Sequence, residues 1–297
     1  MEAPEATEQA AEATPAPTAQ ASPTAAREAA PEPSRATPRE QQAAAPAAHQ
    51  AIAPAVAPPA KPAAKRAGTS AEAFTFSPPP RAADEDERAY RTRALASLRA
   101  RYEEDAPHNQ FVTAFTNIVF DDGDPCANLC FVGEAPGAEE DLQGKPFVGR
   151  SGELLNKMIV GMGLSRERVY ICNVLKTRPP DNATPTTREI DICRPYLLAQ
   201  LAIVRPKAIV TLGLPAAQAL LRSTDTMARL RSNWATLSLR SEGDSPLLIP
   251  VMPTYHPAYL LRAFTPENRA KVWSDLCLVL KHLGMPIPTK GSTGANP

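Results

Sequence analysis

Between residues 84 and 283 the period of the apolar positions changes repeatedly, and each change marks an element. Tyr90, Ala94, Leu98 and Tyr102, with Leu95 beside them, recur every four residues in a charged segment, the spacing of an amphipathic helix. Asn117–Phe120 reads as a first strand, followed by an Asp-Asp-Gly-Asp-Pro turn at 121–125. Apolar runs at Leu129–Val132, Val169–Leu175 and Ala208–Leu212 read as buried strands, with Trp234–Leu239 and Leu247–Val251 as two more. Helical spacing fills the intervals. Gly152–Met162 carries Leu154, Leu155, Met158 and Ile159 as its stripe, and Thr187–Val204 carries Ile190, Cys193, Leu197 and Leu201. A short helix over Ala216–Leu221 and a closing one over Asn268–Leu283 complete the set. Strands alternating with helices predict an α/β protein: a three-layer α/β/α sandwich around a central, mainly parallel sheet of four to five strands.

The first eighty or so residues break this pattern. They hold much of the chain's 33 prolines, mixed with alanine, and almost no large apolar side chains, so burial cannot offset the entropy of ordering them. The expected organisation is a disordered Ala/Pro-rich arm over 1–83, a folded domain over 84–285 and a flexible tail over 286–297. The arm reads as a solvated extension or as a tether for an unidentified partner.

Lys plus Arg and Asp plus Glu balance at 32 each, so no whole-molecule field announces a polyanion partner, although a local patch can still grip one nucleic-acid strand. The opening MEAPEATEQA is acidic and has no apolar core, which argues against a secretory signal or transit peptide. No apolar run approaches the roughly 20 residues of a membrane span. A soluble, cytoplasmic protein without a membrane partner is expected. The five cysteines, at 126, 130, 172, 193 and 277, contain no C-x-x-C pair and no metal motif.

Candidate chemistry concentrates in Leu129–Gly152, a strand, a glycine-punctuated loop and a helix start, which is where α/β proteins place their sites. Two phosphate-binding readings fail there. Lys145 is followed by Pro146 rather than Ser or Thr, and Gly133 is followed by Glu134-Ala135-Pro136 rather than a G-x-G-x-x-G pattern.

Four stretches carry a resemblance: Gly133-Glu134-Ala135-Pro136-Gly137, Gly144-Lys145-Pro146-Phe147-Val148-Gly149, Asn173-Val174-Leu175-Lys176-Thr177-Arg178-Pro179-Pro180 and Tyr255-His256-Pro257-Ala258-Tyr259-Leu260. Together, in order, they resemble the motifs of the uracil-DNA glycosylase superfamily, specifically its family 4, over about Asn117 to Leu283. The resemblance implies an enzyme that flips deoxyuridine out of DNA, hydrolyses its N-glycosidic bond, releases uracil and leaves an abasic site. It implies that Phe147 stacks on the base and that Asn173 reads the Watson-Crick edge with one donor and one acceptor. By the same likeness, Gly133 and Ala135 border the uracil, and His256 bonds its O2 as negative charge develops. Better-known relatives carry an aspartate base where this chain has Ala135. Glu140 or Asn182 is therefore expected to position water, with Glu134 and the Gly133 turn shaping the pocket. Leu260, Leu261 and Arg262 resemble a loop that enters the minor groove, although both leucines read equally as core. Ser151, at a helix start, can offer a backbone N–H to phosphate.

Family-4 members usually hold a four-iron four-sulfur cluster on a C-x-x-C pair before the first strand, a cysteine in Lys-Cys-Arg-Pro-Pro and one on the next helix. Here Tyr102 to Thr113 contains no cysteine, Thr177 stands at the third position and only Cys193 matches, whereas a cluster takes about four thiolates. No cluster, other cofactor or metal is expected. Tyr102, His108, Phe111 and Phe115 are expected to pack there instead. The segment Arg178 to Thr184 lacks the reactive histidine of the covalent uracil-capturing branch, so irreversible capture is not expected. A monomer is expected. The rival reading is a non-catalytic DNA- or uracil-binding module derived from a glycosylase.

Overall fold

The computed structural model describes residues 74–239 and 245–288; the expected arm up to residue 73 and the tail from residue 289 lie outside the described residues. Among the described residues six strands form one sheet: β1 (Asp121–Gly123), β2 (Leu129–Gly133), β3 (Tyr170–Asn173), β4 (Ala208–Leu212), β5 (Ala235–Leu239) and β6 (Leu247–Thr254). Their order is β1-β3-β2-β4-β6-β5. The four inner strands run parallel, and β1 and β5 close the edges antiparallel. Every residue of β2, β3 and β4 is buried, as expected of strands covered on both faces.

Alternate residues of each strand feed two cores. Cys130, Val132, Cys172 and Ile209 face one core, which is covered by α1 (Glu87–Asp105), α4 (Thr187–Val204) and α5 (Leu214–Leu221). Leu129, Phe131, Ile171, Val210 and Met252 face the other, covered by α3 (Arg150–Gly161), α7 (Pro257–Arg262) and α8 (Pro266–His282). This is the three-layer sandwich, mainly parallel, with six strands rather than four to five. Two short helices, α2 (Ala138–Gln143) and α6 (Met227–Leu230), lie in stretches that read as loop.

Local chemistry explains the element ends. Thr186 and Glu189 form a reciprocal capping box that starts α4 at Thr187, where the sequence places it. The expected strand at Asn117–Phe120 is not one. Val119 and Phe120 are buried, yet ladder pairing begins only at Asp121, inside the expected turn. What fixes β1 is partly a side chain, since the Tyr170 hydroxyl donates to Asp121 at 2.6 Å. The boundary at residue 84 also falls late. Phe74 and Phe76 pack on the first core, with the Phe74 ring 4.4 Å from that of Tyr196.

Candidate active site

Parallel pairing brings the carboxyl ends of β2, β3, β4 and β6 to one edge of the sheet, the edge where open α/β sheets bind ligands. Register sets the neighbours: Gly133 pairs with Asn173, and Leu212 with Thr254. A cavity of about 840 Å³ opens there, bordered by Glu134, Phe147, Ser151, Asn182, His256 and Arg262 among others.

Gly133 is the hinge of this edge. A Cβ placed on it would lie 2.3 Å from Asn173 Oδ1 and 2.5 Å from Phe147 Cζ, so the missing side chain is what lets an amide and a ring approach the same backbone. Asn173 is buried and, like Gly133, is not among the residues lining the cavity; its Oδ1 has no hydrogen-bond partner. A buried, unpaired amide oxygen is costly unless a ligand completes it. Its backbone carbonyl accepts from the buried Lys176 Nζ at 2.7 Å, and that ammonium also donates to Gln200 Oε1. Burial pushes the Lys176 pKa down.

His256 caps α7. Its Nδ1 accepts from the Ala258 N–H at 3.0 Å, so the proton of the neutral ring sits on Nε2. Burial, and then Arg262, pushes its pKa down to about 4, with Glu140 opposing weakly. The imidazole is therefore a neutral donor at ordinary pH. Its ring centroid lies 5.6 Å from that of Phe147. Gly213, at φ +90°, makes room for it, since a Cβ there would sit 3.1 Å from His256 Cβ.

The carboxylates divide their work. Glu140 Oε1 accepts from the Val148 and Gly149 N–H groups at 3.0 and 2.9 Å, and Oε2 accepts from Gly137 at 3.2 Å. It staples the loop rather than standing free for water. Asn182 is exposed, and its Oδ1 accepts from Arg178 Nε at 2.8 Å. Glu134 keeps a carboxyl bordering the cavity, beside the Thr184 hydroxyl, and burial raises its pKa. Ala135 does not border the cavity; its methyl packs on the first core.

On α7 the structure separates two neighbours. Leu260 is buried in the second core, which corrects its expected place in the DNA-entering loop, because its position on the helix turns it toward α3. Leu261 and Arg262 are exposed, and Arg262 borders the cavity with Ser151, which lies in the first turn of α3.

The family's cluster positions also converge. The Tyr102 hydroxyl ends beside the Thr177 hydroxyl and the Cys193 thiol, although neither Tyr102 nor Thr177 makes a well-formed hydrogen bond. The Tyr102 ring stacks on His108 at 5.5 Å and meets the edge of Tyr196 at 5.0 Å, while His108 meets Phe115 at 4.7 Å. Phe111 packs partly buried against the same core. One thiol, two hydroxyls and a packed set of rings do not fit a four-iron cluster, whose corners take thiolates. Among the described residues no group of three or more His, Cys, Asp or Glu side chains is placed to hold a metal ion.

Sequence reasoning passed over Arg166, which stands in the charged run Arg166-Glu167-Arg168. It also missed the buried Asp275, which accepts from Thr254 Oγ1 at 2.7 Å and Ser232 Oγ at 2.8 Å and pairs with Arg231, steadying the end of β6 next to His256. Neither has a local signal, since each acts through partners far away in the chain.

A ring face at Phe147, a single N–H at His256 and an unpaired amide oxygen at Asn173 are the kinds of group that recognise a planar heterocycle. An α/β protein so equipped falls in the class of base-recognising proteins. The chain belongs to the uracil-DNA glycosylase superfamily: a sequence model described as "Uracil DNA glycosylase superfamily" matches residues 120–277. It is 41% identical to a type-4 uracil-DNA glycosylase of Archaeoglobus fulgidus, over 59% of this chain and 86% of the relative. It is 42% identical to that of Thermotoga maritima, over 54% of this chain and 80% of the relative. For that of Sulfurisphaera tokodaii the identity is again 42%, over 54% and 72%.

Proposed function

We propose that this protein is a monofunctional uracil-DNA glycosylase that acts on uracil flipped out of DNA and leaves an abasic site. The observation that carries this reading is the meeting of Asn173's unpaired amide oxygen and Phe147 on Gly133, with His256's single N–H donor beside the ring. Asn173 accepts from uracil N3–H and donates to O4; cytosine reverses that pattern and is refused. Phe147 stacks on the flipped base, an interaction worth about 1–3 kcal/mol that holds any base and reads none.

As the N-glycosidic bond breaks, the sugar becomes cationic and the departing uracil anionic. A neutral His256 donates Nε2–H to the developing O2 anion without having to lose a proton first, and its burial strengthens that bond. Water must be oriented toward the sugar carbon. Glu140 is occupied by three backbone N–H groups and Asn182 by Arg178, so the role falls to Glu134, whose raised pKa makes it the stronger base. Leu261 and Arg262 meet the DNA beyond the pocket, and Ser151 meets a phosphate.

The same reading has the enzyme work without an iron–sulfur cluster, its connector braced by the rings around Tyr102. The test is incubation with a uracil-containing oligonucleotide followed by alkali, alongside His256→Ala and Asn173→Asp variants, with iron measured in the purified protein. Strand breaks that fall sharply in both variants support the assignment. Binding without breakage would mark a non-catalytic module, and about four irons per chain would overturn the cluster-free reading.

A further inference from the structure

We infer that Arg166 is a positioning residue for the base-stacking ring, acting through the backbone carbonyls of Pro146 and Phe147. This rests on the reading of Phe147 given above. Phe147 sits at φ +53°, in the left-handed region that a bulky side chain rarely adopts. Such a conformation persists only when the surroundings over-determine it.

Arg166 supplies much of that determination. Its Nη2 donates to the Pro146 carbonyl at 2.6 Å and its Nη1 to the Phe147 carbonyl at 3.0 Å, so one planar fork grips the carbonyls of two successive peptides. The fork is itself held: Nη1 also donates to Asn156 Oδ1 at 3.0 Å, and Nε pairs with Asp122 Oδ2 at 2.7 Å. From the other side α3 presses on the same peptide, since a Cβ on Gly152 would lie 2.0 Å from the Phe147 oxygen.

Arg166 lies apart from the candidate active site. It borders a second cavity, of about 590 Å³, whose lining shares only Phe147 with the first. Phe147 is thus a partition, with its ring serving one cavity and its backbone carbonyl clamped by a side chain that borders the other. A lysine cannot reproduce the clamp, because one ammonium cannot span two carbonyls, an amide and a carboxylate in the geometry of a guanidinium.

The test is a double-mutant cycle on single-turnover uracil release from an oligonucleotide, using wild type, Arg166→Met, Phe147→Ala and the double variant. Arg166→Met should lower the rate by about 10- to 100-fold, the scale of a displaced positioning group. In the Phe147→Ala background it should cost nothing more, because the ring it aims is gone. Arg166→Lys should restore only part of the rate, and Asp122→Asn, which loosens the clamp but keeps the arginine, should show a smaller loss that also vanishes with Phe147→Ala. If Arg166→Met does not fold, these two carry the cycle. Losses that multiply with that of Phe147→Ala, or variants as fast as wild type, would overturn the inference. If Phe147→Ala alone released uracil at the wild-type rate, the active-site reading itself would fall, a distinguishable result.

Discussion

Gly133 and Asn173 face each other across parallel strands, and the space above Gly133 is already taken by the Asn173 amide oxygen, 2.3 Å from where a Cβ would stand. A methyl group there must displace either that amide or the Phe147 ring, the two groups proposed above to hold the base. Gly133→Ala should therefore slow uracil release by about 100-fold, the scale of an ångström's misplacement. Over-packing should cost about 1–3 kcal/mol of stability. Single-turnover rates and melting curves check the pair of effects.

With Glu134 orienting the water as proposed, it carries the acid limb of the pH–rate profile. Its pKa is raised by burial, and it must be ionised to orient water, so the rate should climb with pH through a value above that of an ordinary glutamate. Glu134→Gln should lower the rate by about 100-fold, within the range assigned to a general base, and flatten the limb. A limb unchanged in that variant would assign the water to another group.

His256 contributes to stability rather than to that limb. Its folded pKa, about 4, lies below the ordinary 6.5, so between those values the unfolded chain takes up a proton that the folded one refuses. Stability is then present above pH 6.5 and is lost as pH falls toward 4, by up to about 3 kcal/mol. His256→Asn keeps an N-cap acceptor and removes the titration. Its denaturant midpoint should fall less steeply over that window than that of the wild type.

Leu260 and Leu261 should part company. Leu260→Ala removes a side chain from the second core and should cost about 2–5 kcal/mol of stability. Leu261→Ala should leave the melting temperature nearly unchanged and weaken binding to uracil-containing DNA. If the two variants behave alike in both assays, the division of α7 into a core face and a DNA face is wrong.

Tyr102→Ala should destabilise the fold by about 3–5 kcal/mol, the cost of emptying a large aromatic site. The ring touches His108, Phe120 and Tyr196, so chemical denaturation should show a lower midpoint. Added iron and sulfide should not restore it.

Much of this architecture is legible along the chain. The helix at Thr187–Val204 is marked at its start by a cap and along its length by a stripe, and buried strands such as Leu129–Val132 declare themselves as unbroken apolar runs. The four motifs locate the site, although only the parallel register brings Gly133, Asn173 and His256 together. What was hidden depends on partners distant in sequence. Glu140 looks like any exposed carboxylate until the loop folds over it. Leu260 and Leu261 differ by one step, about 100° of helix, and that step decides between core and solvent. The Phe147 backbone angle leaves no trace in composition, and β1 is too short to show a period.

The bond from Ala258 N–H to His256 Nδ1 joins two events usually thought separate. It starts the six-residue helix α7, and it also chooses which ring nitrogen carries hydrogen. Folding that single turn therefore arms the imidazole. Unwinding it would free Nδ1 to compete for the proton, and Nε2, the donor proposed to meet the base, would become an acceptor. A helix this short, carrying Arg262 at its far end, makes the placement of that guanidinium and the tautomer of its N-cap histidine two readings of one local equilibrium.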